Sequence, residues 1–110
     1  MQLFNPAHPG ELILDTIEGI REETGKNISI TEIAAGIGIT RKTLSALINC
    51  RQSVTPEMAL RLEIAFPNTG AEFWLTVQKK YDLAQARKKF KAKGIKVFWK
   101  PNKSIKKSAA

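Results

Sequence analysis

Between residues 40 and 52 the chain places two adjacent cations, a third further on, and a set of hydroxyl and amide side chains: Thr40, Arg41, Lys42, Thr43, Ser45, Asn49, Arg51 and Gln52. Arg and Lys donate to guanine O6 and N7, while Thr and Ser serve either a base edge or a phosphate. Asn49, Arg51 and Gln52, at and just beyond the end of the stretch, suit backbone phosphates, which position a domain more than they specify a sequence. Catalysis lacks its parts. There is no phosphate-cradling glycine loop, no metal-ligand cluster, no paired carboxylates in a predictable cleft, and no nucleophile with a placeable base. The one cysteine, Cys50, forms no internal disulfide, and the one histidine, His8, cannot complete a metal cage with it, so neither metal nor cofactor is expected. Arg51 alone is thin support for a redox-active Cys50, and His8 in its Pro-rich setting reads as a turn or capping residue.

The elements that must hold these side chains are helices. Leu12, Ile13, Ile17 and Ile20 recur at helical spacing through about residue 23, and Gly25 with Asn27 punctuates the end. Ser29 stands three residues before Glu32, a capping-box spacing that opens a short second helix with Ile30, Ile33, Ala34 and Ile37 inward. Thr40 caps a third helix, with Leu44, Leu47 and Ile48 buried and Arg41, Lys42, Ser45 and Asn49 on the other flank. Thr55, Pro56 and Glu57 start a fourth, with Ala59, Leu60, Leu62, Ile64 and Phe66 inside and Pro67 ending it. Thr69 and Glu72 repeat the capping-box spacing before Phe73, Trp74, Val77 and Tyr81, and the pattern runs on to Phe90, with or without a break near Asp82. Trp74 and Phe73 read as core, and Tyr81 as core or interface.

Residues 28 to 51 thus form a short helix, a tight turn and a second short helix, the spacing of a helix-turn-helix. Such a corner needs a small residue where the helices approach and one tolerant of positive φ, and Ala34 and Gly38 fit those roles. The exposed start of the third helix is the part of a recognition helix that reaches base edges in the major groove. On the residues alone a plain helical bundle with a solvated Arg41–Lys42 pair stays open beside DNA binding.

The segments NPAHPGEL, IAAGIGITRKTLSALIN, VTPEMALRLEIAF and AEFWLTVQKKYDLAQA, in that order, resemble the HigA/VapI group of antitoxins, Cro/repressor-type (XRE) helix-turn-helix proteins. The resemblance spans roughly residues 5 to 86. It implies a homodimer that represses its own toxin-antitoxin operon by binding operator DNA, and that also binds and blocks a HigB-type ribonuclease. The family's recognition helix falls on residues 40–49, with Arg41, Lys42, Thr43 and Ser45 facing bases. Three features depart from the family: the loop over residues 21–28 is about five residues longer, Cys50 stands where glycine is common, and the basic extension from Arg87 onward has no counterpart. If Cys50 must take positive φ, the strain is about 1 kcal/mol.

The whole chain has 110 residues and a net charge of +8. That length suits one domain burying roughly 65% of its extended surface. Residues 1–78 hold six basic groups against nine acidic ones, giving −3, whereas residues 79–110 hold twelve against Asp82 alone, giving +11. No apolar run approaches the roughly 18 residues of a membrane span, and the N-terminal residues lack the pattern of a secretory signal, so a reduced, cytoplasmic protein is expected. Ile95, Val97 and Trp99 alternate with Lys96, Phe98 and Lys100 as a possible short edge strand, and disorder is expected past Pro101. The expected architecture is all-α: a five-helix helix-turn-helix domain with a C-terminal helical extension over residues 1–94, then a flexible basic tail over 95–110. The helix after Thr69 is expected to carry the dimer surface. Rival functions are a stand-alone DNA-binding regulator, a pure protein-interaction module, and a nonspecific nucleic-acid chaperone driven by the basic C-terminal segment.

Overall fold

Four of the helix starts are fixed by a side chain that accepts an otherwise free amide. In the computed structural model, which describes residues 5–101, His8 Nδ1 accepts from Gly10 N–H at 2.8 Å and Ser29 Oγ from Glu32 N–H at 3.0 Å. Thr40 Oγ1 accepts from Thr43 N–H at 3.1 Å, and Thr55 Oγ1 from Met58 N–H at 3.2 Å. The resulting elements are α1 (Pro9–Thr24), α2 (Ile30–Ile37), α3 (Arg41–Ile48), α4 (Pro56–Ala65) and α5 (Ala71–Lys89). Among the described residues there is no strand, and the fold is the expected all-α arrangement.

The fifth helix begins differently from the sequence expectation. Gly70, not Thr69, is its N-cap, without a side-chain cap of its own, and Glu63 Oε1 of α4 accepts the Ala71 N–H at 2.7 Å. Thr69 is used elsewhere: its hydroxyl donates to the Phe66 carbonyl and accepts from the Trp74 indole N–H, both at 2.8 Å. Trp74 is fully buried, and a buried indole N–H needs such a partner. The helix is unbroken past Asp82 and stops at Lys89, so Phe90 lies outside it and exposed.

One core unites all five helices through Ile13, Ile17, Ala34, Leu44, Leu47, Leu62 and Trp74. α4 docks on α2 and α5 through Met58, Ala59, Leu62 and Phe66, which share one side of the helix. Leu60 and Ile64, expected inside, are 54% and 80% exposed. At about 100° per residue they fall on the opposite side of α4, so apolar character there marked no burial. Phe73, also expected in the core, is 45% exposed, its ring edge against Trp74. The inward stripe of α5 is buried at Trp74 and Gln78 and half-buried at Ala71, Tyr81 and Gln85, and it escapes an apolar pattern because two members are amides. Gln78 is only 5% exposed and fully employed: its Oε1 accepts the Val54 N–H at 2.7 Å and its Nε2 donates to Asp82 at 2.9 Å.

Residues 90–101 form neither helix nor strand, and Ile95 to Lys100 are all exposed, so the edge strand suggested by alternation is absent. An isolated strand with no neighbour leaves its backbone groups unpaired, and alternation alone supplies no partner. The disorder expected past Pro101 lies outside the described residues.

His8 is 3% exposed and stacks edge-on against Tyr81, with ring centroids 4.8 Å apart. Burial holds its pKa below the ordinary histidine value, against the opposing pull of Asp82 and Glu11. Its cap also requires an unprotonated Nδ1, because only that form accepts from Gly10. A group with a lowered folded pKa binds its proton more readily when unfolded, so its contribution to stability is present above about pH 6.5 and is lost as pH falls below that value. Urea midpoints are therefore expected to drop between pH 7.5 and pH 5.5. His8→Asn, which keeps a capping acceptor but does not titrate, is expected to flatten that slope; an equally steep slope in the variant would assign it to other groups.

Candidate nucleic-acid interface

The corner between α2 and α3 is built by a Schellman motif. Gly38, at φ 87°, donates to the Ala35 carbonyl at 3.1 Å, and Ile39 donates to Ala34 at 3.0 Å. Ala34, 1% exposed, is the small residue beneath the turn. A clamp not evident in the sequence comes from α4: Arg61 Nη1 donates to the carbonyls of Ile37 and Gly38 at 3.2 and 3.3 Å, while its Nε and Nη2 hold Glu57. The clamp satisfies carbonyls that the end of α2 leaves free. A Cβ on Gly38 would stand 2.5 Å from Arg61 Nη1. Gly38→Ala is expected to cost about 2 kcal/mol, from left-handed strain plus the displaced guanidinium. Chemical denaturation measures it, and a loss under about 0.5 kcal/mol would contradict the corner's demand for glycine.

The far end of α3 repeats the motif with a different residue. Cys50 donates to Leu47 at 3.0 Å and Arg51 to Ala46 at 2.8 Å, with Cys50 at φ 60°. Cysteine thus occupies a left-handed position that favours glycine, at a strain of about 1 kcal/mol. Burial, then the Glu11 carboxylate, pushes its thiol pKa up, away from the thiolate that reactivity needs.

Between these two ends α3 presents Arg41, Ser45, Asn49 and Lys42 within an arc of about 100°, opposite the buried Leu44 and Leu47. Arg41, Lys42 and Asn49 are exposed, and among the described residues neither cation has an ion-pair partner. Asn49 Nδ2 donates to Ser45 Oγ at 3.4 Å, a long contact that links the two polar tips. Arg51 and Gln52 follow in the exposed loop, the former fixed by its backbone bond to Ala46. Thr40 and Thr43 stand apart from this arc. Thr43 is half-buried on the other flank, and its hydroxyl lies 2.9 Å from that of Thr40. Ala46 borders the arc and was not singled out from the sequence, although its angular position gives it away; a methyl there suits contact with thymine.

α3 is held in place from behind. Gly10, in the first turn of α1, lies so close to α3 that an added Cβ would collide with the Leu47 carbonyl oxygen. The N-terminus of α1 therefore supports the C-terminal end of α3. No helix among the described residues is long and apolar enough to cross a membrane.

A short helix crossing behind a second one that offers an uncompensated polar arc defines a DNA-binding helix-turn-helix protein. A helix-turn-helix family model matches residues 17–73, and the chain belongs to that Cro/C1-type family of DNA-binding regulators, which is not an enzyme family. It is similar to the virulence-associated protein A′ of Dichelobacter nodosus, 40% identical over 101 residues, 92% of this chain and 82% of the relative. It is similar in structure to an addiction module antidote protein of the HigA family from Coxiella burnetii, with a TM-score of 0.68 and 32% identity over 78% of this chain and 87% of that one. The Pseudomonas aeruginosa antitoxin HigA with the higBA promoter aligns with a TM-score of 0.64 and 28% identity over 77% and 86%.

Proposed function

We propose that the protein is a homodimeric, cytoplasmic antitoxin that represses its own operon by reading operator DNA with α3 and that neutralises a HigB-type ribonuclease toxin. The observation that carries the DNA reading is the polar arc of exposed Arg41, Lys42 and Asn49 with half-buried Ser45, on a helix whose fully buried residues lie on the opposite side. Arg41, Lys42 and Ser45 are the base readers, with Asn49, Arg51 and Gln52 on phosphates and Thr40 and Thr43 at the flanking backbone. The toxin reading is supported by likeness to proteins described as an antidote and as an antitoxin. A dimer forms through α5, where Leu75, Leu83 and Ala86 line an open apolar depression with Lys79 and Asp82 at its edge. The helix-turn-helix domain with its C-terminal helix covers residues 1–94, and the basic segment 95–110 lies beyond it.

Titrating the full chain against the DNA upstream of its gene and against a scrambled duplex of equal length tests the proposal. Specific binding tighter by about 10³-fold or more is expected at physiological salt. Equal affinity for both duplexes would replace it with a nonspecific binder, and no DNA binding at all with a protein-interaction module. Inhibition of the RNA cleavage of a co-expressed neighbouring toxin tests the second activity.

A further inference from the structure

We infer that the basic segment from Arg87 to Lys100 is a second DNA-contacting arm, which grips the phosphates of the duplex flanking the site read by α3. The inference rests on the operator reading above and adds a contact that the helix-turn-helix does not contain. Seven basic groups and no acidic one lie between residues 83 and 101. All seven are exposed, and none has an ion-pair partner among the described residues. Arg87, Lys88 and Lys89 complement the negative end of the α5 dipole and so have a structural reason to be basic. Lys91, Lys93, Lys96 and Lys100 lie beyond the helix and its dipole; Lys96 rests over the exposed Phe98 ring, 5.9 Å from its centroid, and both are open to solvent.

The helix that carries the arm is anchored next to α3. Gln78 of α5 accepts from Val54 in the loop that follows α3, Tyr81 stacks on His8 at the start of α1, and that start abuts Leu47 of α3. From Gln78 the helix runs on for eleven residues, roughly 16 Å, and residues 90–101, if extended, add up to roughly 40 Å. Measured from the anchor of α5 beside the C-terminal end of the reading helix, the segment therefore has enough reach to span about one turn of DNA, roughly 34 Å. Phe98 and Trp99 stand exposed beside Lys96 and Lys100, offering apolar rings that groove walls can cover.

The test uses the full chain and a full-length variant carrying Lys91→Gln, Lys93→Gln, Lys96→Gln and Lys100→Gln. All four positions are exposed and outside the helices, so folding is not at stake. Both proteins are titrated over a salt series against an operator duplex that ends at the half-sites and one with about 15 base pairs added on each side. The parent chain is expected to bind the longer duplex more tightly and with a steeper dependence of log affinity on log salt. The variant is expected to lose the length preference, and its slope to become shallower by about 2 to 4 per protomer, since each lost phosphate contact removes roughly 0.9. Unchanged slopes in a variant that still discriminates operator from scrambled DNA would overturn the arm alone. Loss of discrimination already in the parent chain would overturn the operator reading and the arm with it. A variant defect seen only on single-stranded DNA or on phosphatidylserine vesicles would overturn the duplex assignment in favour of those surfaces.

Discussion

Gly10→Ala is expected to lower the stability of the fold by about 2 to 3 kcal/mol, because the new methyl would meet a backbone atom that cannot rotate away. The Leu47 carbonyl oxygen occupies the place of the Cβ, so α1 and α3 must separate, and the contacts of Ile13, Leu44 and Leu47, all fully buried, must loosen with them. For a chain of this size the loss corresponds to a fall in Tm of roughly 10 to 20 °C. Gly19→Ala is the matched control. Nothing lies within 4 Å of a Cβ there, and an exposed helical glycine replaced by alanine is expected to gain about 0.5 to 1 kcal/mol. Thermal melts of the two variants should therefore move in opposite directions; a Gly10→Ala melt within 3 °C of the parent would show that the helices are not held so closely.

Arg41→Ala is expected to leave stability within about 0.5 kcal/mol and to reduce operator affinity sharply. The side chain is exposed and has no ion-pair partner among the described residues, so removing it leaves the core contacts in place. A bidentate Arg–guanine contact is worth about 1 to 3 kcal/mol per half-site, so a dimer on a palindrome loses about 30-fold to 2 × 10⁴-fold. Preference at one base pair per half-site should relax at the same time. Unchanged affinity in the folded variant removes Arg41 from the reading face.

The helix-turn-helix was legible in the sequence because its signals are local. Ser29, Thr40 and Thr55 each cap a helix from within its own first turn, and Gly38 takes the left-handed position that its place after Ile37 suggests. The exposed arc of α3 follows from the same reasoning, since Leu44 and Leu47 fix which side is buried. The misses are tertiary. Leu60 and Ile64 are apolar on the exposed side of α4, and Thr69 was drawn away from the α5 cap by the Trp74 indole. The close approach of Gly10 to Leu47, the Arg61 clamp on the corner and the buried Gln78 each join residues 23 or more positions apart. No spacing rule within a single element reveals such pairs. Cys50 is intermediate: a left-handed backbone there was only conditional on its position sharing the demand of the glycine common in similar proteins, and the chain tolerates the strain because the motif closing α3 imposes it.

Dimethyl sulfate footprinting of guanine N7 on operator DNA bound by the full chain tests groove entry by α3 most directly. Two protected clusters in the major groove are expected, related by a dyad, with centres about 10 base pairs apart. Arg41→Ala should abolish one guanine protection in each cluster and leave the rest. Protection that is absent from the major groove, or that Arg41→Ala leaves wholly intact along with affinity, would contradict the placement of this helix on DNA.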